Sequence, residues 1–420
     1  MFNNINLSFE QAPPIKVVLR FFLTGAIFGV VAFLFALFNI NSFVNIGNSA
    51  TLTFVHLLTL GVMASFMFGA LFQMMPVLAG VSINSSELIS MRVHYGLIFG
   101  LLFLISSFYS GADILYFFAA LFLGYSLLVT SYTILKELLK VQKSVSPKGM
   151  MLALFSLVVV AILGILMLAL RGAVNLPLNY IDIKYAHIGF GLFGWIAMLI
   201  ISVAFQVIEM FYVTHPYPKI ITRYLTVAIF TFSIVTLIFP ISISYMQTFT
   251  ALALAVFALF TLVRLSQRKR AVSDATVWFW RSAMGSLVVF AVLLITGNFI
   301  DINVALMATF YTLFALSVVY AMVFKIVPFL VWFQLNRAGY FDAPMMHEVI
   351  HPMSAKYNFY IYIVASLFLI VGSKVLYFAY IGYLLMTISF LMLAILIYKA
   401  WHKYLHTLQF GTKLEFPSNI

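Results

Sequence analysis

The sequence predicts an all-α integral membrane protein whose twelve transmembrane helices form three four-helix arcs about a pseudo-threefold axis. Three observations predict it. The chain is 64% hydrophobic and 8% charged, with a mean hydropathy of +1.12, too apolar for a water-soluble domain. Its apolar residues come in runs of about 20 or more, the length a helix needs to cross a bilayer, and the short alternating segments of a β-barrel are missing. One pattern of residues also recurs near the ends of the second, sixth and tenth runs.

The runs lie at 17–39, 51–79, 93–110, 113–135, 150–170, 186–213, 221–240, 246–264, 277–297, 303–333, 357–373 and 376–400. In hydrocarbon every backbone N–H and C=O has to be paired inside the chain, which makes each run a helix. The first is too long for a signal-peptide core and has no small-residue cleavage site behind it, so it is read as a retained helix. The longest inner connections (136–149, 265–276 and 334–356) and the tails (1–15 and 401–420) are too short for a separate domain. Residues 1–420 are therefore one membrane domain.

The net charge of +12 describes topology, not a nucleic-acid surface. With the amino terminus inside, twenty of the 23 lysines and arginines fall on inner loops and span ends, among them Lys136, Lys140, Lys143, Lys148 and the run Arg268-Lys269-Arg270. Only Arg171, Lys184 and Lys374 are left outside. This positive-inside bias places both termini in the cytoplasm, and anionic membrane lipid is the expected partner of the cationic face. The chain has no cysteine, which excludes disulfides, covalently attached c-type haem, iron–sulfur clusters and thiolate metal sites.

The second run contains GALFQMMPVL (69–78), the sixth SVAFQVIEMF (202–211) and the tenth AMVFKIVPFL (321–330). Aligning Gln73, Gln206 and Lys325 gives steps of 133 and 119 residues and repeats near 17–135, 150–264 and 277–400. The first two units also begin alike, with His56 in VHLLTLG and His187 in AHIGFGLFG; the third has Met307, Thr309 and Tyr311 there.

Twelve helices in three groups of four resemble the catalytic subunit of haem–copper oxidases. The stretches PPIKVVLRFFLTG, THPYP and FKIVPFLVWFQL are similar to those of NnrS-like bacterial membrane proteins, which contain haem and copper and are linked to nitric oxide. The resemblance implies a bacterial inner-membrane protein that binds haem b, with copper as a second candidate and a diatomic gas as a candidate ligand. His56 then matches the haem-ligating histidine of span 2, and His187 is either the opposite ligand or a copper ligand. The chain departs from the oxidase pattern in spans 7 to 10, which hold no histidine. A full oxygen-reducing centre is therefore not expected, and any enzymatic activity would be of another redox or nitric-oxide-related kind. The WHAHE-type signature of NnrS proteins is also absent.

His56 and His187 are the candidate cofactor and metal ligands, since neutral imidazole is a common ligand of iron and copper. Both read as lying near the outer ends of their spans, at equivalent repeat positions and similar depth. Gly61, Gly189, Gly191 and Gly194 follow them and admit a flat ring or a second helix. The other reading is that both histidines cap their helices and bond between helices. Gln73, Gln206, Glu209 and Lys325 form a candidate intramembrane polar cluster, because ionisable groups in a bilayer are functional candidates by default. Glu209 and Lys325 are expected to neutralise one another, either along an ion path or as a structural lock, with Pro76 and Pro328 kinking spans 2 and 10 nearby.

His347-Glu348-Val349-Ile350-His351 spells the zinc-protease motif H-E-x-x-H, but Pro344 and Pro352 bracket it and leave little room for a helix. A loop histidine pair is the expectation. His94 reads as the inner start of span 3, and His215, His402 and His406 as juxtamembrane. Trp278, Trp280, Trp332 and Trp401 read as an interfacial aromatic belt. Three functions remain open: a haem-binding redox or nitric-oxide-linked protein, a cofactor-free transporter or channel that uses the Gln/Glu/Lys cluster, and a purely structural or assembly partner.

Overall fold

The computed structural model describes residues 13–43, 45, 47–81, 83–140, 145–171, 179–269 and 274–413. Lys143 and Arg270, two of the cations used to assign sidedness, lie outside them. Among the described residues twelve helices are long and apolar enough to cross a membrane. They are Ile15–Phe38, Ser49–Pro76, Ser86–Ser110, Asp113–Leu138, Ser146–Arg171, Tyr180–Tyr212, Lys219–Ile238, Pro240–Ser266, Ala275–Thr296, Val304–Arg337, Pro352–Gly372 and Leu376–Phe410. They are numbered spans 1 to 12. The only β pairing described is an isolated bridge between Tyr340 and Lys413. This is an all-α, multi-pass membrane protein.

Each span sits where the sequence places it, but several run further. Span 3 starts at Ser86 and span 12 continues to Phe410, gaining about two and about three turns of charged or amphipathic sequence. Apolar-run counting stops at such residues, yet their long side chains reach water from an interfacial helix without breaking it. The helices of spans 2 and 10 continue through Pro76 and Pro328.

Packing follows a period of four spans. The last span of each unit lies on the first of the next, 4 on 5, 8 on 9 and 12 on 1. Within each unit the first span packs on the second and the third on the fourth. Spans 2, 6 and 10 are the inner helices: 67, 72 and 83% of their apolar stretch is buried inside the molecule, against at most 50% elsewhere. The outer spans present Leu102, Phe117, Leu121, Leu259 and Ile395 outward, as a lipid-facing surface requires.

Small residues set the closest approaches. A Cβ on Gly29 would run into the ring of Phe390, which fixes span 1 against span 12. Gly100 similarly admits the backbone of Leu123 on span 4, and Gly382 that of Leu369 on span 11. Polar links bind the third unit. Asn358 on span 11 donates to the Ser389 carbonyl at 2.9 Å and accepts from its hydroxyl at 3.1 Å. Tyr320 and Ser389 lie at 2.9 Å; since Ser389 gives its one proton to Asn358, Tyr320 is the donor.

Trp280 does not belong to the aromatic belt. It is 1% exposed, inside the bundle beside spans 2, 6 and 10, because span 9 turns that face inward.

Candidate functional site

Asparagines start the three inner helices in the same way. Asn48 accepts from Thr51 N at 2.8 Å, Asn179 from Ile181 N at 3.0 Å and Asn303 from Ala305 N at 2.8 Å. Each satisfies a first-turn N–H that has no partner within the helix. Counting eight residues from each cap gives His56, His187 and Tyr311. All three therefore stand about two turns into their spans, on one lateral level of the sequence repeat.

Beyond the histidines the helices widen. Leu57–Ala64 and Phe190–Ala197 are π-helical, eight residues each. Rare in general, such segments are found frequently at functional sites. Their starts are 133 residues apart, the spacing of Gln73 and Gln206, whereas the histidines are 131 apart. The histidines thus follow the caps, not the glutamines. They are two residues out of the register read from the sequence, because span 6 inserts Ile188 and Gly189 between its histidine and its π-helix.

The structure brings the two rings together. Their centroids are 6.5 Å apart with 27° between the planes. His56 Nδ1 lies 2.7 Å from the Leu52 carbonyl one turn earlier, and His187 Nδ1 lies 3.2 Å from the Val160 carbonyl on span 5. A carbonyl only accepts, so both Nδ1 atoms carry the proton and each neutral ring keeps the Nε2 lone pair free. This is the usual outer support of a metal-binding imidazole. An ion held by two imidazole nitrogens at about 2.0–2.1 Å each would separate the ring centres by roughly 6.4 Å with the nitrogens on opposite sides of it, and by roughly 5 Å in a tetrahedral arrangement. The observed separation matches the first of these.

The surroundings are apolar on one side and cationic at the rim. Phe108 lies 5.4 Å from the His56 ring. The Arg171 guanidinium sits 5.9 Å from Phe108 and donates to the Tyr180 hydroxyl at 3.3 Å. Gly164 lets span 5 approach so closely that a Cβ there would stand 3.2 Å from His187 Cε1. Of the four glycines after the histidines, Gly61 and Gly194 admit Phe28 and Ser156, whereas Gly189 faces open space. That space belongs to a cavity of about 340 Å³ between spans 2, 6, 7, 8, 9 and 10, lined mainly by apolar side chains and including Tyr311 and Gln247. Tyr311 donates its hydroxyl to the Leu192 carbonyl within the π-helix of span 6.

The polar cluster is divided. Lys325 pairs with Asp274, at the head of span 9, not with Glu209. Burial alone would push the Asp274 carboxyl up, but the Lys325 ammonium and the Thr276 N–H outweigh it and hold Asp274 below the usual carboxylate range. Tyr212 closes this group, with its ring 5.7 Å from the ammonium and its hydroxyl on Thr276 at 2.8 Å. Glu209 instead accepts from the Tyr217 N–H at 2.8 Å. Val213, in the left-handed region at φ 50°, turns the chain at the end of span 6, so that Tyr217 comes back over Phe205 and Thr261. Sequence depth alone suggested the Glu209–Lys325 pair; Asp274, hidden in a loop, is the nearer carboxylate. Gln73 is 4% exposed, and neither of its amide atoms finds a partner among the described residues. Gln206 is half-buried.

His94 lies two turns inside span 3, which starts before its apolar run, and is 5% exposed, with Nε2 at 2.8 Å from the Thr24 hydroxyl and its ring against Phe21. The H-E-x-x-H stretch forms a single turn, Met346–Val349; Ile350 is extended and His351 caps span 11. The two histidines therefore do not share a helix face. Among the described residues no three His, Asp or Glu side chains gather as a metal site. No family model matches the chain, and no curated protein matches it.

Proposed function

We propose that His56 and His187 hold one redox-active metal inside the membrane, as ligands that would bind a haem b iron or a copper ion. The facing pair, with both Nδ1 protons spent on backbone carbonyls and both Nε2 atoms free, carries this reading. A haem or copper bound there supplies one-electron chemistry and, where a ligand position opens, a seat for a diatomic such as nitric oxide. The chain's own residues set the conditions. The Val160 and Leu52 carbonyls orient the rings, Gly164 makes room for His187, and Phe108 shields His56. Arg171, beside Phe108 and Tyr180, would supply a cation for the acidic groups of a porphyrin.

The same reading places the protein in the bacterial inner membrane with its cationic loops and both termini in the cytoplasm. It treats the period-four packing as three arcs of an oxidase-like scaffold. The competing reading is a cofactor-free transporter or channel. Against it, Lys325 and Glu209 are engaged separately, and the 70 Å³ space between spans 2, 6 and 10 is lined by apolar side chains such as Met63, Leu199 and Val319. A visible spectrum and metal analysis of one detergent-purified sample test the choice. A Soret band or one bound copper supports the redox reading, and a colourless, metal-free protein purified after expression with ample haem and copper favours transport.

A further inference from the structure

We infer that His402 and His406 form a second, exchangeable transition-metal site, on the helical extension of span 12. Span 12 reaches Phe410, about three turns beyond the apolar run that ends near residue 400. On that extension the two histidines are four residues apart and both exposed, with ring centroids 6.5 Å apart and planes at 32°. Histidines at this spacing lie on one helix face and can chelate one ion. That separation is wider than the roughly 5 Å of two imidazoles held side by side on one ion at about 2.0–2.1 Å, and a rotamer change of these exposed side chains closes it. Imidazole suits copper, zinc and nickel, and at a site with two nitrogens and open positions copper(II) binds most tightly.

The absence of a third His or carboxylate around it among the described residues leaves water in the remaining positions. Such a site exchanges its metal and does not hold the fold together. Its location gives the ion something to act on. The extension carries the loop between spans 10 and 11: Lys403 donates to the Glu348 carbonyl at 2.9 Å, Tyr340 to the Leu408 carbonyl at 3.0 Å, and Phe341 N to the Thr412 carbonyl at 2.9 Å. Metal across His402 and His406 would staple the last turns of the helix and stiffen the platform under that loop.

The test titrates copper(II) into the full chain, purified in detergent without a polyhistidine tag, and follows it by electron paramagnetic resonance. The expected result is one equivalent with imidazole-nitrogen coupling that persists in His56→Ala/His187→Ala. That equivalent is lost in His402→Ala. It is lost also in His406→Gln/Gln409→His, which keeps two exposed histidines but moves them two turns apart. Both positions are on the helix surface, so elution behaviour should be unchanged. Made in the His56→Ala/His187→Ala background, a relocation variant that still takes one equivalent, or a parent that takes none, overturns the site.

Discussion

Tyr311, on span 10, donates its hydroxyl to the carbonyl of Leu192, inside the π-helix of span 6. Tyr311 occupies in the third unit the cap-relative position that His56 and His187 occupy in the first two. It thus ties the third inner helix to the segment that follows His187. Tyr311→Phe removes the donor and leaves a carbonyl without it. Intramembrane side-chain bonds average about 0.6 kcal/mol with a maximum near 1.7, so a loss of about 1 kcal/mol is expected in a reversible unfolding assay. If a cofactor is bound, its absorption should shift as well. An unchanged midpoint would make the contact incidental.

The Lys325–Asp274 pair makes the second prediction. Lys325→Met strands a part-buried carboxylate, whereas Lys325→Met with Asp274→Asn strands nothing. Asp274 is about one-third exposed, so water screens the loss; about 1–2 kcal/mol is expected for the single change, and less for the double. A double variant as unstable as the single would show that the two groups are not coupled.

The same pair has a pH signature. The Asp274 carboxyl is depressed in the folded state, so its contribution to stability is complete above the ordinary carboxylate pKa of about 4 and is lost as pH falls through the lower folded value. Asp274→Asn should flatten that acid limb of the stability profile and leave neutral pH and above unchanged in shape. Equal slopes for both proteins below pH ~4 would count against the pairing.

Gly29 supplies a packing test. Its Cα faces the ring of Phe390 where span 1 meets span 12. Gly29→Val should cost about 1–3 kcal/mol by overpacking, and Gly29→Val with Phe390→Ala should recover part of it. Gly111, whose added Cβ would meet nothing within 4 Å, is unsuitable as a control, because its φ of 66° itself disfavours a side chain. Gly285, in a helix with open space around it, is the suitable control, and Gly285→Val should cost markedly less. Equal losses at Gly29 and Gly285 would show that the close approach of spans 1 and 12 is not what limits residue 29.

The spans were legible because hydrocarbon imposes length and apolarity together, so composition alone locates them. His56 and His187 were legible as isolated polar rings in long apolar runs. Their register was not, because GALFQMMPVL and SVAFQVIEMF align the inner halves while Asn48 and Asn179 set the outer ones. A search for asparagine eight residues ahead of a ring would have found Tyr311 too. Asp274 was overlooked because it sits in a loop, and a loop residue at a helix start can reach into the bundle. Trp280 was misplaced because distance from a span end reports depth, but not which way the side chain points, and it points inward.

The central claim is that His56 and His187 share one metal. The most direct measurement is the absorption spectrum and metal content of the purified native chain beside His56→Ala, His187→Ala and His402→Ala, all expressed with haem and copper supplied. The account predicts a haem Soret band, or one tightly held copper, in the native chain and in His402→Ala, and its loss in each of the other two. A native chain with neither cofactor, or one whose cofactor survives both His56→Ala and His187→Ala, would contradict it.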